Sequence, residues 1–478
     1  DGTNWNFSQD ATTLTNIAAL GQSKNAEMIA EAWDTDYPGG YQVGAFPAGW
    51  GDWNGRYRDT TRGYINNGET SKGGITYTDA FHGDYGNYFD GGTGGPANSI
   101  NFVVAHDGLT LADLVSYPGS GNARNSTLTW PFGPSDGGNG DDNKIGFGSN
   151  PAMRRQAVRN YFTWQMFSRG VPMIVYGDEF GRTQNGNNNP YNIDSAATWN
   201  NYLMIGTDSP HTVDTGSGGS YDNNFGTDAK LDGINGLFVF ASKVMNLRKS
   251  SPALTQSDYS MGISYKKEDG VTGLNSSTER CAWIRIDGSE AGDSDYLLFS
   301  NMYTANVFFT IPAADSGKQW VRIIDTASWA ETDNNWWDAA TGTVLTGTYE
   351  VNPWSIVVLK ETDAPLPVDN PVLSPAGSSF SGSVTVTSSC ATSGAVIRYT
   401  LDGSDPEVSS TVFPTEGLSI PTTTTVSVRA FKEGMPASAV VRATYTRMPS
   451  GVTESPYGVM LQGFNWASAD GAWYTTIS

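Results

Sequence analysis

The sequence predicts an α/β region followed by domains built only from β-strands. Up to about residue 254, short apolar runs alternate with amphipathic stretches, a pattern typical of parallel strands connected by helices. After this point the amphipathic stretches stop, and strand-like runs follow one another directly. The 56 glycines and the low charged fraction of 16% agree with a folded, turn-rich chain.

The α/β region contains helices and strands that the hydrophobic pattern locates individually. The longest helix begins at Pro151, where proline fits because the first N–H of a helix has no partner within it. The helices are expected at residues 10–19, 151–169 and 237–248, and the strands at residues 27–30, 101–105 and 171–176.

Two β domains are predicted in the rest of the chain. Residues 255–361 are expected to form an antiparallel β-sandwich, and residues 371–447 a smaller one. Residues 362–370 are rich in proline and typical of a linker, and residues 448–478 are expected to hold a second linker and one more strand. The predicted strands of the two domains are 281–286, 296–300, 307–311, 355–359, 383–389, 395–401 and 425–431.

The composition restricts the class of ligand. A formal net charge of −21 repels nucleic acid and anionic membranes but is compatible with neutral polymers such as polysaccharides. The 15 tryptophans offer aromatic faces for sugar rings, although the acidity would serve equally well to keep an extracellular protein soluble. Cys281 and Cys390 have no metal-site spacing, so we expect no metal centre and two free thiols, with a disulfide as the alternative. No apolar run is long enough to cross a membrane.

Acidic residues stand at the ends of three predicted strands. Glu31 follows the first strand and has Trp33 beside it, His106–Asp107 follow the second, and Asp178–Glu179 follow the third. Glycoside hydrolysis needs two carboxyl groups that flank the glycosidic oxygen, one protonated and one ionised. A single acid at a strand end is usually only a cap for the next helix. Several such ends in sequence, with Trp-rich loops between them, favour a glycosidase active site.

Longer motifs surround these strand ends. They are Glu31–Asp34 and residues 39–47, 53–59, 101–111, 130–138 and 177–192. Together they resemble the isoamylase and glycogen-debranching branch of the α-amylase superfamily, glycoside hydrolase family 13, and the resemblance covers residues 1 to about 361. It implies a (β/α)8 barrel, also called a TIM barrel, followed by a β-sandwich, and a retaining glycosidase mechanism.

The resemblance also implies a role for each candidate residue. Glu31 stands where the family has its general acid and base, and Asp107 where it has the carboxylate that stabilises the transition state. His106 would bond the same sugar, and Trp33 would line the side of the leaving group. Residues 178–179 are expected to hold the end of the barrel together rather than to act on substrate.

One element of the family pattern is absent. The motif that carries the nucleophile reads roughly Asp-Gly-Phe-Arg-Phe-Asp, and no such string occurs in this sequence. Asp1–Asn6 resembles this motif only weakly and has Asn at the nucleophile position. Phe7–Ala11, in contrast, resembles the segment that follows the nucleophile. We therefore expect residues 1–254 to be the second half of a barrel whose first four strands and nucleophile lie upstream, with true loss of the nucleophile as the alternative. Four strands cannot close such a barrel, so this half would need the other as a partner.

The predicted function is that of an isoamylase-type glycosidase that hydrolyses the α-1,6 branch linkages of glycogen or starch. The alternatives are an α-1,4-cleaving amylase of the same superfamily and a glucan-binding protein without catalysis. The expected partner is an α-glucan such as glycogen or amylopectin, with no nucleic acid and no membrane. No cofactor is expected, although calcium is compatible with the family, with its ligands in the earlier half of the barrel. The expected location is secreted or periplasmic.

Two further resemblances concern the end of the chain. Ile397–Pro406 resembles the small β-sandwich appended to chitobiases and many bacterial glycosidases, which leaves a carbohydrate-binding module and a plain spacer as alternatives. Residues 457–473 resemble the first strand of an α-amylase barrel. They would either begin a second catalytic domain, which is favoured, or supply a rearranged first strand to this barrel.

Overall fold

The computed structural model divides the chain into two compact units, Asp1–Thr362 and Asp363–Ser478. In the first unit a parallel α/β region precedes an antiparallel β domain, which confirms the predicted fold class. Predictions for residues 1–6, 130–138 and most of 457–478 lie outside the described residues. The structure describes residues 7–34, 40–84, 89, 95–117, 150–184, 186–188, 190, 193–194, 198–206, 212–214, 220–222, 230–231, 233–257, 259, 262–448, 452–454 and 460–462.

The α/β region is built on one four-stranded parallel sheet. Its strands lie in the order of the sequence, and every neighbouring pair is parallel. Sequential parallel strands joined by helical connections are the arrangement of successive βα units in a barrel wall. The strands are β1 (Met28–Ala30), β2 (Trp50–Asn54), β3 (Ser99–Phe102) and β4 (Val171–Met173).

Strand β2 is one that the hydrophobic pattern does not reveal. Asp52 and Asn54 interrupt its apolar character, yet both are buried. The Gly44 N–H donates to the Asp52 carboxylate at 2.8 Å, and the Asn54 amide donates to the Ser99 hydroxyl at 2.9 Å. Buried polar groups with partners cost little, so a strand can contain them, and a search for apolar runs misses that strand.

Helices occupy the connections of the α/β region. The predicted helices at residues 10–19, 151–169 and 237–248 correspond to the first, the fifth and the last of them. The helices observed in the described residues of this region are α1 (Thr12–Lys24), α2 (Gly55–Asn67), α3 (Tyr77–Phe81), α4 (Leu111–Leu114), α5 (Pro151–Phe167) and α6 (Gly236–Ser250).

Several elements have boundaries that differ from the prediction, among them β3, which spans Ser99–Phe102 rather than residues 101–105. Helix α1 continues to Lys24 and ends at Asn25, whose φ of 52° is the left-handed conformation that commonly closes a helix. Strand β4 ends at Met173 rather than at residue 176. The Val175 N–H donates to the Asp178 carboxylate at 3.3 Å, because the chain has already left the sheet there.

Short elements complete the loops of the first unit. Three hairpins pair Ser71–Lys72 with Ile75–Thr76, Thr212–Asp214 with Ser220–Asp222, and Lys230–Leu231 with Ile234–Asn235. Short 3-10 helices lie at Gly95–Asn98, Asp178–Phe180, Tyr202–Ile205, Pro252–Leu254, Ser289–Ala291 and Ser328–Asp333.

The rest of the first unit is an antiparallel β-sandwich. Its larger sheet has the order β5–β6–β7–β12–β9–β10, and its smaller sheet pairs β8 with β11. One face of the larger sheet shares a core with Tyr64 and Trp164 of the helices, and the other packs on Phe309 of the smaller sheet. The strands are β5 (Ile263–Lys266), β6 (Cys281–Ile286), β7 (Tyr296–Asn301), β8 (Val307–Thr310), β9 (Lys318–Asp325), β10 (Val344–Leu345), β11 (Thr348–Val351) and β12 (Ser355–Asp363).

A polar interface fixes helix α5 to this sandwich. Arg155 donates to both carboxylate oxygens of Glu331, at 2.9 and 2.8 Å, and Arg159 donates to one of them at 2.9 Å. Burial raises the pKa of Glu331, but the two guanidinium groups outweigh it and hold that pKa below its ordinary value. The Asn160 amide also donates to the Trp354 carbonyl at 2.8 Å. Charge-assisted hydrogen bonds therefore add to the shared apolar core.

The second unit is a small β-sandwich with its own core. A three-stranded sheet has the order β13–β15–β18, and a five-stranded sheet has the order β14–β20–β19–β16–β17. Phe380, Phe413 and Tyr445 are buried between them. The strands are β13 (Val372–Ser374), β14 (Ser378–Phe380), β15 (Val384–Ser389), β16 (Val396–Thr400), β17 (Thr411–Val412), β18 (Leu418–Ile420), β19 (Thr424–Phe431) and β20 (Val441–Arg447).

A final hairpin follows these strands. Val452–Glu454 pairs antiparallel with Met460–Gln462. The two interpretations of residues 457–473, a second catalytic domain and a rearranged first barrel strand, both stay predictions.

Cys281 and Cys390 are free thiols, as expected. Within the described ranges, no helix is long and apolar enough to cross a membrane. Over the same part of the chain, no group of three or more His, Cys, Asp or Glu side chains could hold a metal ion.

Candidate active site

The carboxyl edge of the parallel sheet collects the predicted site residues. Glu31 directly follows β1, His106–Asp107 follow β3 after three residues, and Asp178 follows β4 after four. Because all four strands are parallel, their carboxyl ends lie along one edge, which is where barrel enzymes place their active sites. The structure therefore brings the three acidic strand ends to the same edge.

An aromatic cluster joins the two ends of this candidate site. Trp53, at the end of β2, lies 6.4 Å from Trp33 and 5.7 Å from His106, measured between ring centroids. Phe102 of β3 packs 5.6 Å from Trp53, and Tyr41 stacks on Trp33 at 6.3 Å with an interplanar angle of 13°. Trp33 and His106, which follow strands two positions apart in the sheet, thus belong to one continuous aromatic surface.

The two predicted catalytic carboxylates are open to solvent. Asp107 is 70% exposed and His106 is 65% exposed, and the His106 Nε2 lies 3.4 Å from the nearer Asp107 carboxylate oxygen. Glu31 is also exposed. Trp33, in contrast, is half-buried in the aromatic cluster. The carboxylates are therefore accessible to a ligand, and the aromatic side chains form the rigid wall beside them.

A buried ion pair anchors the loop that carries Tyr41. The Arg56 guanidinium lies 3.1 Å from the Asp84 carboxylate, and both side chains are buried. Arg56 also donates to the Val43 carbonyl at 3.2 Å and lies 5.6 Å from the centre of the Tyr41 ring. The motifs at residues 39–47 and 53–59 are thus physically connected, which keeps the wall beside Trp33 in place.

Asp178 has the contacts of a structural residue. It is buried and accepts hydrogen bonds from the Leu111 N–H at 3.0 Å and the Val175 N–H at 3.3 Å. Burial raises its pKa to about 7, although these N–H groups and Arg182 oppose the shift. Glu179 accepts from the Gly177 N–H at 2.9 Å. These contacts agree with the interpretation that both acids hold the end of the barrel together.

Replacement of Asp178 by alanine is expected to destabilise the first unit by about 1–3 kcal/mol, because the buried Leu111 N–H and the half-buried Val175 N–H lose their acceptor. The folded pKa of about 7 lies above the ordinary value of 3.8, so the native state of the parent protein binds the extra proton. The stability that Asp178 contributes is therefore full below about pH 4 and falls as the pH rises to about 7. Urea unfolding at pH 5 and pH 8 should show a larger loss at pH 5. The exposed control Glu290→Gln should show no such difference, and a larger loss at pH 8 would contradict the assignment.

A second buried acid, Asp113, was not singled out by the sequence. It accepts hydrogen bonds from the Gln184 N–H at 2.7 Å and from the Thr183 hydroxyl, and burial raises its pKa to about 6. It therefore ties helix α4 to the loop that follows Asp178. The only local signal is the spacing Thr110–Asp113, which is that of a helix cap.

A cleft of about 280 Å³ opens beside His106. Tyr176 and Arg182 of the β4 loop line it, together with Gln184 and Asn200. The Arg182 guanidinium is held by the Gln184 side-chain carbonyl and the Thr198 carbonyl, each at 2.8 Å. This cleft supplies hydrogen-bonding groups next to the aromatic cluster, as a polar, uncharged ligand such as a sugar requires.

Comparison with known proteins gives two family matches and several relatives. Residues 267–360 match the family described as Isoamylase, C-terminal, and residues 375–442 match the Chitobiase/beta-hexosaminidase C-terminal domain. An isoamylase from Flavobacterium sp is 37% identical over 329 residues, which are 65% of this chain and 38% of that protein. A glycogen operon protein GlgX homolog from Mycobacterium bovis (strain ATCC BAA-935 / AF2122/97) is 30% identical over 370 residues, which are 70% of this chain and 45% of that protein. The chain therefore spans less than half the length of these relatives.

Among solved structures, the type I pullulanase from Bacillus subtilis str. 168 complexed with maltose has a TM-score of 0.49 at 16% identity. The match covers 73% of this chain and 42% of that one.

A parallel α/β sheet with acids and aromatic rings at its carboxyl edge is the arrangement on which (β/α)8-barrel enzymes build their active sites. More specifically, the sequence matches make this chain a homologue of the isoamylase and GlgX branch of glycoside hydrolase family 13. An isoamylase C-terminal domain and a chitobiase-type C-terminal domain follow its α/β region.

Proposed function

We propose that the protein is an isoamylase-type debranching enzyme that hydrolyses α-1,6-glucosidic branch linkages of glycogen or starch with retention of configuration. The observation that carries the proposal is the placement of Glu31 and Asp107 along one carboxyl edge, with an aromatic cluster between them. Strands β1 and β3 are two positions apart in the sheet, which corresponds to about 10 Å. This separation leaves room for a sugar ring between the two side chains.

In the proposed mechanism Glu31 is the general acid. It gives its proton to the glycosidic oxygen as the C–O bond breaks, while a carboxylate nucleophile forms an ester with the sugar. Glu31 then takes a proton from the water that hydrolyses this ester. The mechanism needs that nucleophile, and we assign it to none of the acids at this edge.

The neighbouring side chains would bind the sugar. Asp107 and His106 would hold its hydroxyl groups and stabilise positive charge at the ring, and Trp33 would stack on the sugar that leaves. The exposure of Asp107 and the half-buried, stacked position of Trp33 suit these roles.

The products released from amylopectin test the proposed linkage. The full-length natural protein that contains this chain is expected to release linear maltooligosaccharides of many lengths and to increase iodine staining, because only branch points are cut. Chromatography of the products checks this. Release of short maltooligosaccharides from unbranched amylose would instead indicate an α-1,4-cleaving amylase. Binding of glycogen without release of reducing ends would indicate a glucan-binding protein without catalysis.

A further inference from the structure

One exposed tryptophan of the β-sandwich stands on a stack of flat groups. Trp329 is 46% exposed, and its ring lies 6.0 Å from that of Trp337 with an interplanar angle of 28°. The Arg322 guanidinium lies 4.0 Å from the centre of the Trp337 ring and 5.1 Å from that of Trp329. Arg322 in turn donates to the Tyr349 hydroxyl at 2.9 Å. We call Trp329, Trp337 and Arg322 the Trp329 platform.

The base of the Trp329 platform is fixed to the rest of the unit. Trp329 belongs to the 3-10 helix Ser328–Asp333, in which Ala330 is buried and Glu331 is bonded to two arginines of helix α5. The backbone N–H of Trp337 donates to the backbone carbonyl of Ile323 in β9 at 2.9 Å. The exposed indole face is therefore held in one orientation. Stacking of a ligand on it costs little conformational entropy, because the side chain is already ordered.

The chemistry of this surface suits a neutral sugar ring. A wide aromatic face attracts the C–H face of a pyranose ring, whose edge hydroxyl groups then need polar partners. Residues three apart in a 3-10 helix lie on the same edge, so exposed Thr332 stands beside Trp329, and Asp333 follows it. The net charge of −21 disfavours an anionic ligand.

The position of the Trp329 platform relative to the sheet supports a polymeric ligand. Helix α5 is followed directly by β4, and β4 starts at the amino edge of the parallel sheet. The last turn of α5 therefore lies near the amino edge, and its first turn lies toward the carboxyl edge. Arg155, which bonds Glu331, is in the first turns of α5. The Trp329 platform is therefore displaced toward the end of the α/β region that carries Glu31, but lies on a different domain.

The second unit lacks a comparable surface over its described residues. Its large exposed apolar side chains there are all aliphatic, namely Leu366, Val372, Val396, Leu401, Val408 and Val412. A flat aromatic surface for sugar stacking is thus found on the isoamylase C-terminal domain rather than on the appended module.

We propose that the Trp329 platform binds a glucose ring of an α-glucan chain, as a site separate from the candidate active site. This proposal rests on the proposed function for the identity of the polymer. Such a site would hold a branched polymer on the enzyme while another part of it enters the active site. It would contribute to binding of long glucans and leave the hydrolysis of short ones unaffected.

The experiment compares three variants of the full-length protein by affinity electrophoresis in gels that contain glycogen. Trp329→Met keeps most of the bulk but removes the aromatic face, and we expect it to weaken glycogen binding about five- to tenfold. Trp329→Phe keeps an aromatic face and should retain most of the binding. Phe308→Ala removes an exposed aromatic ring elsewhere on the same domain and should bind like the parent protein. Thermal unfolding of each variant shows that it is folded.

Hydrolysis of a short branched maltooligosaccharide separates this proposal from the proposed function. All three variants should hydrolyse it at the parent rate, because it is too short to reach both sites. If hydrolysis is normal but Trp329→Met binds glycogen like the parent protein, or Phe308→Ala weakens binding equally, the Trp329 platform is not a glucan site. If the parent protein neither binds glycogen nor hydrolyses branched glucans, the proposed function fails as well.

Discussion

Glu31→Gln is expected to lower kcat of the full-length protein on amylopectin by about 10²–10⁴-fold, the usual contribution of a general acid. Glutamine has nearly the same shape but cannot give a proton to the glycosidic oxygen. Because Glu31 is exposed at the end of β1, the substitution should leave the fold intact. Release of reducing ends, with thermal unfolding as a check on folding, measures the effect.

A substrate with a better leaving group distinguishes proton donation from other roles of Glu31. Fluoride leaves without help from an acid, so cleavage of an α-maltosyl fluoride should suffer far less than cleavage of amylopectin. Glu27 supplies a matched control, since it is also exposed and lies just before the amino end of the same strand. Glu27→Gln should leave both activities unchanged. Equal losses on the two substrates, or full activity of Glu31→Gln, would contradict the assignment of the acid.

Glu331→Gln is expected to lower the free energy of unfolding of the first unit by about 3–5 kcal/mol, because it removes the carboxylate that pairs with two buried arginines. Arg155 and Arg159 are 5% and 3% exposed at their side chains, and Glu331 is the acid that both contact. Denaturant unfolding followed by tryptophan fluorescence measures the loss. A more accessible pair provides the control: Glu279→Gln, which removes the partner of half-buried Lys267, should cost less than about 1 kcal/mol. Similar losses for the two variants would show that the interface at helix α5 is not held by this ion cluster.

The pH dependence of this loss follows from the lowered pKa of Glu331. A carboxylate with a lowered folded pKa contributes its stability above the ordinary value of 4.5 and loses it as the pH falls through the folded value. The difference between the parent protein and Glu331→Gln should therefore be largest near neutral pH and shrink in acid. This direction is opposite to that expected for Asp178, whose pKa is raised.

Much of the secondary structure is local in origin and was predictable. The alternation of apolar and polar residues located α5 and α6, and Pro151 marked the start of α5 within the sequence itself. Strand β2 was missed, since its buried Asp52 and Asn54 do not look apolar. These side chains can be buried only because the fold brings them hydrogen-bond partners, which offset the loss of contact with water.

In the candidate site, too, some features are visible in the sequence and others depend on the tertiary structure. Glu31, Trp33, His106 and Asp107 stand out because each follows a strand, and that is visible in a few consecutive residues. The ring of Trp53, which connects Trp33 to His106, depends on the order of three strands in the sheet. Asp113 gained significance only when Thr183 and Gln184, 70 and 71 residues later, were found to bond it.

The sequence by itself determined the type and order of the elements, the positions of the acids at strand ends and the family motifs. The tertiary structure decided which distant groups meet. It joined Arg159 to Glu331 across 172 residues, stacked Trp329 on Trp337, and brought the acidic strand ends to one edge. The physical reason is that hydrophobic periodicity reflects neighbours along the chain. Ion pairs, ring stacks and catalytic sites require atoms a few ångströms apart, which only the packing of the whole unit provides.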